Sequence, residues 1–364
     1  MRIIHVTTRY HASGGAERNI AGWMREEVAL GWEVVLVAGS LDTHFLPDGV
    51  EGVELPSLLR DVNPRQDARA LLDLRRLLRA RRPDVVHTHE SKAGILGRFA
   101  ALGCGAAIVH SVHILSFDAR EHGRAKAQLF RALEVVAGRV TDHLVTVSDE
   151  LRTLYLDAGV RPGDTAVIHS PIDVDAFLAL RESPPPGPPE TLAMIGALEP
   201  RKQHAEAIRA LAPLLRSGDT RLVIAGEGAE RPRLEGLIDR LRLRDRVTLL
   251  GYANAVEVLR GASMLVHTSR SEGLAQVVVQ ATAAGRPVVA TPMPGLAVFG
   301  EAVRTVELAA LPLAIRASRA AAPPMVPPAF FDRWREPVIS GQRRALLQRL
   351  SPISSAPPAP APRG

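Results

Sequence analysis

The strongest constraint on this chain is an alternation. Short β-branched runs at 2–8, 33–38, 84–89, 107–112, 143–148 and 165–170 are separated by helical patterns at 16–30, 66–81, 92–103, 122–138 and 149–158. Strands alternating with helices of this length build parallel, doubly wound sheets with helices on both faces. The strand runs are almost continuously apolar, as expected when both faces are covered. The expected fold class is therefore α/β.

The alternation stops once, at Glu182-Ser183-Pro184-Pro185-Pro186-Gly187-Pro188-Pro189. Such a segment forms neither helix nor central strand, so 182–190 reads as a linker. The pattern then restarts, with strands expected at 191–196, 221–226, 247–251, 264–269 and 287–291 and helices at 203–215, 229–243, 254–261 and 275–285. Two Rossmann-like domains, 1–181 and 191–325, are the simplest account, and 364 residues suffice for two cores. Ala302–Leu308 reads as a last strand. A helical segment is expected within 326–350, with Pro337 starting, kinking or interrupting it, and 351–364 is a Pro/Ala/Ser-rich tail expected to be disordered.

Cys104 is the only cysteine, which excludes a disulfide framework and a thiolate zinc site. No apolar run reaches the roughly 18 residues of a membrane span. The chain opens directly on a strand-like run without a leader pattern, so a cytoplasmic location is expected. The 45 basic residues exceed the 39 acidic ones, yet only Lys92, Lys126 and Lys202 are lysines. Scattered arginines with 4% aromatic residues offer no stacking platform for nucleic acid, and none is expected as a partner. Helix 66–81 sets Leu71, Leu72, Leu74, Leu77 and Leu78 beside several arginines. That stripe either packs on the sheet or rests on an anionic membrane surface, and its arginines are free to meet lipid in both cases.

In open parallel sheets, ligands bind beyond the carboxyl ends of the strands. Three such ends are rich in glycine and polar residues. Gly14 and Gly15 follow the first strand and open a helix, where backbone approaches a ligand closely and an anion is favoured, or where a plain turn is made. Arg201 and Lys202 follow Gly196 and precede a helix. Cations are misplaced at a helix amino terminus unless an anion such as a diphosphate sits between them, the alternative being two exposed basic residues. Ser269 through Leu274 lie between a strand and a helix that carries Gln280. There Glu272 is placed to accept hydrogen bonds from hydroxyls, and the N–H groups around Gly273 and Leu274 to meet phosphate; the plain reading is a helix-terminal acid and a half-buried amide.

His87 and His89 alternate on a strand and so share one face, a spacing open to a metal, but no second cluster supplies further ligands and no metal is expected. His110 and His113 end the next strand, and His113 is the better polar contact for a substrate. Walker A, Gly-x-Ser-x-Gly and Gly-x-Gly-x-x-Gly patterns are absent.

Over about residues 1–292 the chain resembles the retaining glycosyltransferases of family 4, the group 1 type, which have the GT-B fold of two Rossmann-like domains facing across a cleft. The resemblance rests on Gly14-Gly15-Ala16-Glu17, His87 through Gly94, Val145 through Ser148, Gly196 through Lys202, and Ser271 through Leu274 followed by Ala284 through Thr291, in this order and spacing. It implies a metal-independent hexosyl-type transfer from a nucleotide-diphosphate sugar to an acceptor hydroxyl with retention, with no cofactor. The implied acceptor is a lipid-linked or envelope glycan, with peripheral contact at the inner face of the cell membrane. It also implies roles for donor-side residues: Gly14 and Gly15 near the phosphates, His113 on the transferred sugar, and Arg201 and Lys202 on the diphosphate. Glu272 would hold sugar hydroxyls, and the Gly273 and Leu274 N–H groups would meet phosphate.

The chain departs from that pattern at three places. Gln280 stands where the family's second acid grips the ribose, Ala197 stands where many relatives carry an arginine, and the run after Gly295 lacks a glycine-rich closing segment. A neutral hydrogen bond in place of a charged one predicts roughly tenfold weaker donor binding. The alternative expectation is a catalytically weak or inactive protein of the same fold that binds nucleotide or partner proteins.

Overall fold

The structure, a computed structural model, describes residues 1–11, 15–182, 190–218, 220–321 and 324–350. The Pro-rich linker at 183–189, the tail at 351–364 and Gly14 lie outside the described residues.

The first half runs β1 (Arg2–Tyr10), α1 (Gly15–Ala29), β2 (Glu33–Leu41), β3 (Val50–Glu54), α2 (Pro64–Arg81), β4 (Val85–His89), α3 (Ser91–Ala101), β5 (Ala107–Val112), α4 (Ala119–His122), α5 (Arg124–Gly138), β6 (His143–Thr146), α6 (Asp149–Asp157), β7 (Asp164–Val167) and α7 (Val174–Leu178). Its seven strands are parallel in the order β3-β2-β1-β4-β5-β6-β7. The second half runs β8 (Glu190–Ile195), α8 (His204–Arg216), β9 (Thr220–Ala225), α9 (Arg231–Arg240), β10 (Val247–Gly251), α10 (Ala255–Arg260), β11 (Met264–His267), α11 (Gln276–Ala283), β12 (Val288–Ala290), β13 (Val303–Thr305), α12 (Leu311–Ala320) and α13 (Glu336–Leu350). Its six strands are parallel in the order β10-β9-β8-β11-β12-β13. Strand order reverses between β1 and β4 in one sheet and between β8 and β11 in the other, and these are the two switch points at which such sheets bind ligands.

The expected strands and helices lie within a few residues of those observed. The helix expected over 122–138 is α5, which begins at Arg124 because Gly123, at φ 75°, separates it from the short α4. Three elements were not expected. Edge strand β3 reads Val-Glu-Gly-Val-Glu, and α7 has only five residues. The helix α12 begins on a Leu-Pro pair after the apolar signal fades. Pro337 falls in the first turn of α13, where its missing N–H costs nothing, so it starts that helix.

Each sheet is packed between apolar layers. On α2, Ala70, Leu74 and Leu78 bury against Ile4, Val35 and Val86, so the stripe serves mainly the sheet. Leu72 alone of its leucines is more than half exposed, near Arg69 and Arg76. The helix α13 returns to the first domain: Ile339, Leu346 and Leu347 join the core with Trp23 and Met24. There Arg343 donates to Asn19 at 3.1 Å and Arg344 meets Glu26 at 2.6 Å. Among the described residues, no helix is long and apolar enough to cross a membrane.

A charged pair is wholly buried beneath the first sheet. Arg98 donates to Glu134 at 2.7 Å and to the Gly94 carbonyl at 2.8 Å, and Ser116 donates to the other Glu134 oxygen at 3.2 Å. Both side chains are at 0% exposure. Removing one partner of such a pair strands the other charge, so Glu134→Ala is expected to cost about 3–5 kcal/mol in urea unfolding. A loss below about 1 kcal/mol, the range of surface pairs, would mean that water reaches the pair.

Candidate functional site

Loops at the two switch points face each other. From the second domain, the β8 end carries Gly196 through Lys202 and the β11 end carries Thr268 through Leu274. Gly196 and Gly226 both lie at φ 152°, and a Cβ on Gly226 would stand 2.0 Å from the Gly196 carbonyl oxygen. Only glycine lets these two strand ends pass so closely, and the turn they make delivers Arg201 and Lys202 toward β11.

Arg201 and Lys202 are not the two exposed cations of the plainer reading: their side chains are 23% and 14% exposed. Both converge on Glu272. Lys202 Nζ bonds one carboxylate oxygen, and Arg201 Nη1 lies 3.1 Å from the other while donating to the Ser271 carbonyl at 2.8 Å. His267 lies 3.6 Å from the same carboxylate. Burial alone would raise the Glu272 carboxyl; Lys202, the nearby His267 ring and Arg201 outweigh it and hold the group well below the usual carboxylate range. The cluster is thus two cations sharing one internal anion in a partly desolvated pocket.

Beside it, among the described residues, the N–H groups of Gly273 and Leu274 have no protein acceptor. Gln280 is on α11, half-buried, and its Oε1 is a buried acceptor without a partner. An orphaned buried acceptor costs about 1–3 kcal/mol unless something donates to it.

From the first domain, Gly15 opens α1 and packs against α11, where a Cβ on it would lie 3.4 Å from Gln276 Nε2. His113 follows β5, and its backbone meets Gly273 directly. A Cβ on Gly273 would stand 2.0 Å from the His113 carbonyl oxygen and 2.8 Å from Val147. Ser148 donates to the Gly273 carbonyl at 2.8 Å, and Arg120 reaches the Pro292 carbonyl at 3.2 Å, so the halves touch at this point. Burial pushes the His113 imidazole down to about 4, against an upward pull from Glu90. Lys202, Arg201 and Glu272 are thus brought together, Gly273 and Leu274 follow Glu272 in the same loop, His113 meets that loop at Gly273, Gly15 meets α11 at Gln276, and Gln280 lies one turn further along α11.

The geometry at Gly273 makes a prediction. Backbone on the far side cannot yield to a methyl group, so Gly273→Ala should hold the domains apart. A displacement of about 1 Å at reacting atoms costs around a hundredfold in rate. Any turnover in this cleft should fall by about that factor while small-angle scattering reports a larger radius of gyration. Parental activity would show that this contact is not part of the working state.

Three residues near the site were not singled out from sequence. Glu90 sits at φ 59°, ψ 173°, a conformation that non-glycine residues rarely adopt, and accepts from Thr8 Oγ1 at 2.6 Å and Thr7 Oγ1 at 3.2 Å. His5 joins His87 and His89, their ring nitrogens lying within 4.8 Å of one another. Glu27 bonds His5 from α1 at 2.6 Å. Local spacing holds no signal for these contacts.

Comparison with known proteins places the chain in a family. Residues 13–176 match the family model described as Glycosyltransferase Family 4, and residues 178–302 match that described as Glycosyl transferases group 1. An Escherichia coli UDP-Gal:alpha-D-GlcNAc-diphosphoundecaprenol alpha-1,3-galactosyltransferase is 28% identical over 277 residues, covering 70% of this chain and 69% of that one. A D-inositol 3-phosphate glycosyltransferase of Mycobacterium sp. (strain KMS) is 30% identical over 234 residues, 59% of this chain and 53% of its own, so the match spans about half of that relative. Among solved structures, Anabaena HepE in complex with UDP-glucose superposes with a TM-score of 0.73 at 18% identity, covering 96% of this chain and 100% of that one. WaaG, described as a glycosyltransferase involved in lipopolysaccharide biosynthesis, gives 0.70 at 17% identity, with 96% and 100% covered. At these identities the two structures share the GT-B fold with this chain.

Proposed function

Because this chain belongs to the group 1, family 4 glycosyltransferases, we propose that it moves a hexose from a nucleotide-diphosphate sugar to an acceptor hydroxyl with retention of configuration. The observation that carries the reading is the Lys202–Glu272–Arg201 cluster at the β8/β11 switch point, opposite His113. A diphosphate entering this pocket replaces Glu272 as the counter-ion of both cations. The free N–H groups of Gly273 and Leu274 take further phosphate oxygens, and the orphaned Gln280 oxygen accepts from a ribose hydroxyl.

Glu272, released from the cations, turns to sugar hydroxyls, with His113 on the other side of the sugar. As the bond to the leaving diphosphate breaks, its growing charge is met by Lys202 and Arg201 in a site already organised for an anion. These groups fill the place a divalent metal would take, so activity should survive a chelator. The departing phosphate takes the acceptor proton. The E. coli relative named for a diphosphoundecaprenol-linked substrate and the WaaG likeness support a lipid-linked or envelope glycan as acceptor. The exposed Leu72 with Arg69 and Arg76 suits a peripheral contact with anionic lipid.

The test is a thermal-shift panel with UDP-, GDP-, ADP- and dTDP-sugars, followed by transfer assays and anomer analysis by NMR. A donor at about 100 times its dissociation constant adds roughly 2.7 kcal/mol, and one nucleotide should stand out. No shift with any of them would favour the inactive reading. Gln280→Glu should then tighten donor binding about tenfold, the difference between charged and neutral hydrogen bonds. Weaker binding in that variant, read by calorimetry, would mean that the site is built around the amide.

A further inference from the structure

His113 is the outer end of a line of side chains that runs inward from the cleft. His113 Nε2 lies 3.3 Å from His89 Nδ1, His89 Nε2 lies 2.9 Å from His5 Nδ1, and His5 Nε2 lies 2.6 Å from Glu27 Oε2. The His5 and His89 rings have centroids 5.2 Å apart and planes 8° apart; for His89 and His113 the values are 5.5 Å and 28°. With facing nitrogens 2.9 Å apart, that first separation is that of two rings joined head to head in one plane. Four elements build the line: β1, β4, the end of β5, and α1. His5, His89 and Glu27 are at 0% exposure, whereas His113 is only partly buried. His87 is equally buried beside the line but not in it, bonding Ser111 Oγ at 2.8 Å.

We infer that Glu27, His5 and His89 are positioning residues that hold His113 in one tautomer, with its proton on Nε2 and a bare lone pair on Nδ1 toward the cleft. Where Glu27 accepts from His5 Nε2, a neutral His5 ring presents Nδ1 as an acceptor. His89 must then donate from Nε2 and accept at Nδ1, and His113 must donate from Nε2. The polarity set at Glu27 passes through two rings to the cleft.

Burial, helped by neighbouring positive charge, holds His89, His87 and His110 well below the ordinary imidazole value. The charged groups around the line are Glu90 beside His113, Arg98 beside His110, and Arg343 of α13 on the Glu27 side. A metal held by His5, His87 and His89 is the competing use of these rings. It would need the facing nitrogens of His5 and His89 turned to an ion, and they are spent on each other. Resting on the proposed reading of His113 as a contact to the donor sugar, the consequence is a rule of recognition. A sugar hydroxyl at His113 donates its proton to Nδ1 and is free to accept from another group.

The experiment has two arms on the full-length protein. In the first, 15N-histidine labelling and long-range proton–nitrogen correlation at pH 7.5 read each ring's tautomer, with His113→Asn giving the assignment. His5, His89 and His113 should all appear as Nε2–H, and Glu27→Leu should turn the His113 signal into a mixture. A proton on His113 Nδ1 in the wild-type protein, or shifts of His5 and His89 on adding equimolar zinc chloride, would overturn the inference. Should Glu27→Leu fail to fold, the wild-type spectrum decides. In the second arm, release of nucleoside diphosphate from UDP-galactose and UDP-glucose is compared in His89→Asn and His87→Asn. Loss of an orienting partner costs about 10–100-fold, expected in kcat/KM for His89→Asn, with His87→Asn within about twofold. Equal losses would mean packing alone, and overturn it. Absence of turnover in the wild-type protein would count against the proposed function, while the first arm still judges the tautomer.

Discussion

Lys202→Ala is expected to lower the turnover number by about 10²–10³-fold, the usual cost of removing one preorganised group that meets developing charge. The effect should fall on kcat more than on KM, because the lysine's advantage grows as the diphosphate departs. The fold should survive, since Arg201 remains 3.1 Å from Glu272 and keeps that carboxylate paired. Circular dichroism and the melting temperature check this independently of activity.

Glu272→Ala makes the contrast that identifies the cluster. Both substitutions should impair transfer, but they should move product affinity in opposite directions. Glu272 pairs with both cations, so an incoming diphosphate must displace it. Without Glu272 that competition is gone, and the nucleoside diphosphate should bind about tenfold more tightly, the scale of one charged hydrogen bond. Lys202→Ala should weaken the same binding. Wild-type turnover in Lys202→Ala would remove the site assignment. Weaker diphosphate binding in Glu272→Ala would mean that the acid supports the anion site rather than competing for it.

What could be foreseen from sequence follows from where each signal is stored. A strand covered on both faces of a parallel sheet is rich in apolar and β-branched residues, so β1, β2, β4, β5 and β6 announce themselves in the sequence. The strand β3 has one neighbour and alternates Val with Glu and Gly, which reads as loop. Glycine–anion logic found Arg201, Lys202 and Glu272 one by one, but not that Glu272 is the anion between the two cations, because the partners are 70 residues apart. The histidines show the same limit. His87 and His89 share a face by simple alternation, whereas His5 comes opposite His87 only through the register of β1 on β4. Glu27 reaches His5 only because α1 crosses β1. Contacts between neighbouring elements are set by packing, and a single sequence carries no local mark of them.

Acid is expected to unfold this protein earlier than its carboxylates alone would. Burial, reinforced by neighbouring positive charge, holds His87, His89 and His110 well below their ordinary value, while burial lowers His204 to about 3 and His113 to about 4. In the unfolded chain each titrates near 6.5, so below that pH the unfolded state binds more protons and is favoured. The stability they protect is complete above about pH 6.5 and drains as pH falls toward their folded values. Each histidine kept neutral costs about 1.4 kcal/mol per pH unit in that window, and His113 alone amounts to roughly 3 kcal/mol by pH 4. Glu17 and Glu121, raised by burial, work against this trend, whereas Glu272 and Asp118, held low by their cations, add to it only below the ordinary carboxylate range. Against a total of about 5–15 kcal/mol, several histidines kept neutral in this way are a large share of the stability, and they move the acid midpoint upward. Urea titrations from pH 7.5 to 4.5 read the slope, and His204→Leu, which removes a ring whose Nδ1 has no partner, should flatten it by about one proton. Stability level down to pH 5 would mean that these rings take up protons in the folded state, and that the cluster behind the cleft is wetter than its packing implies.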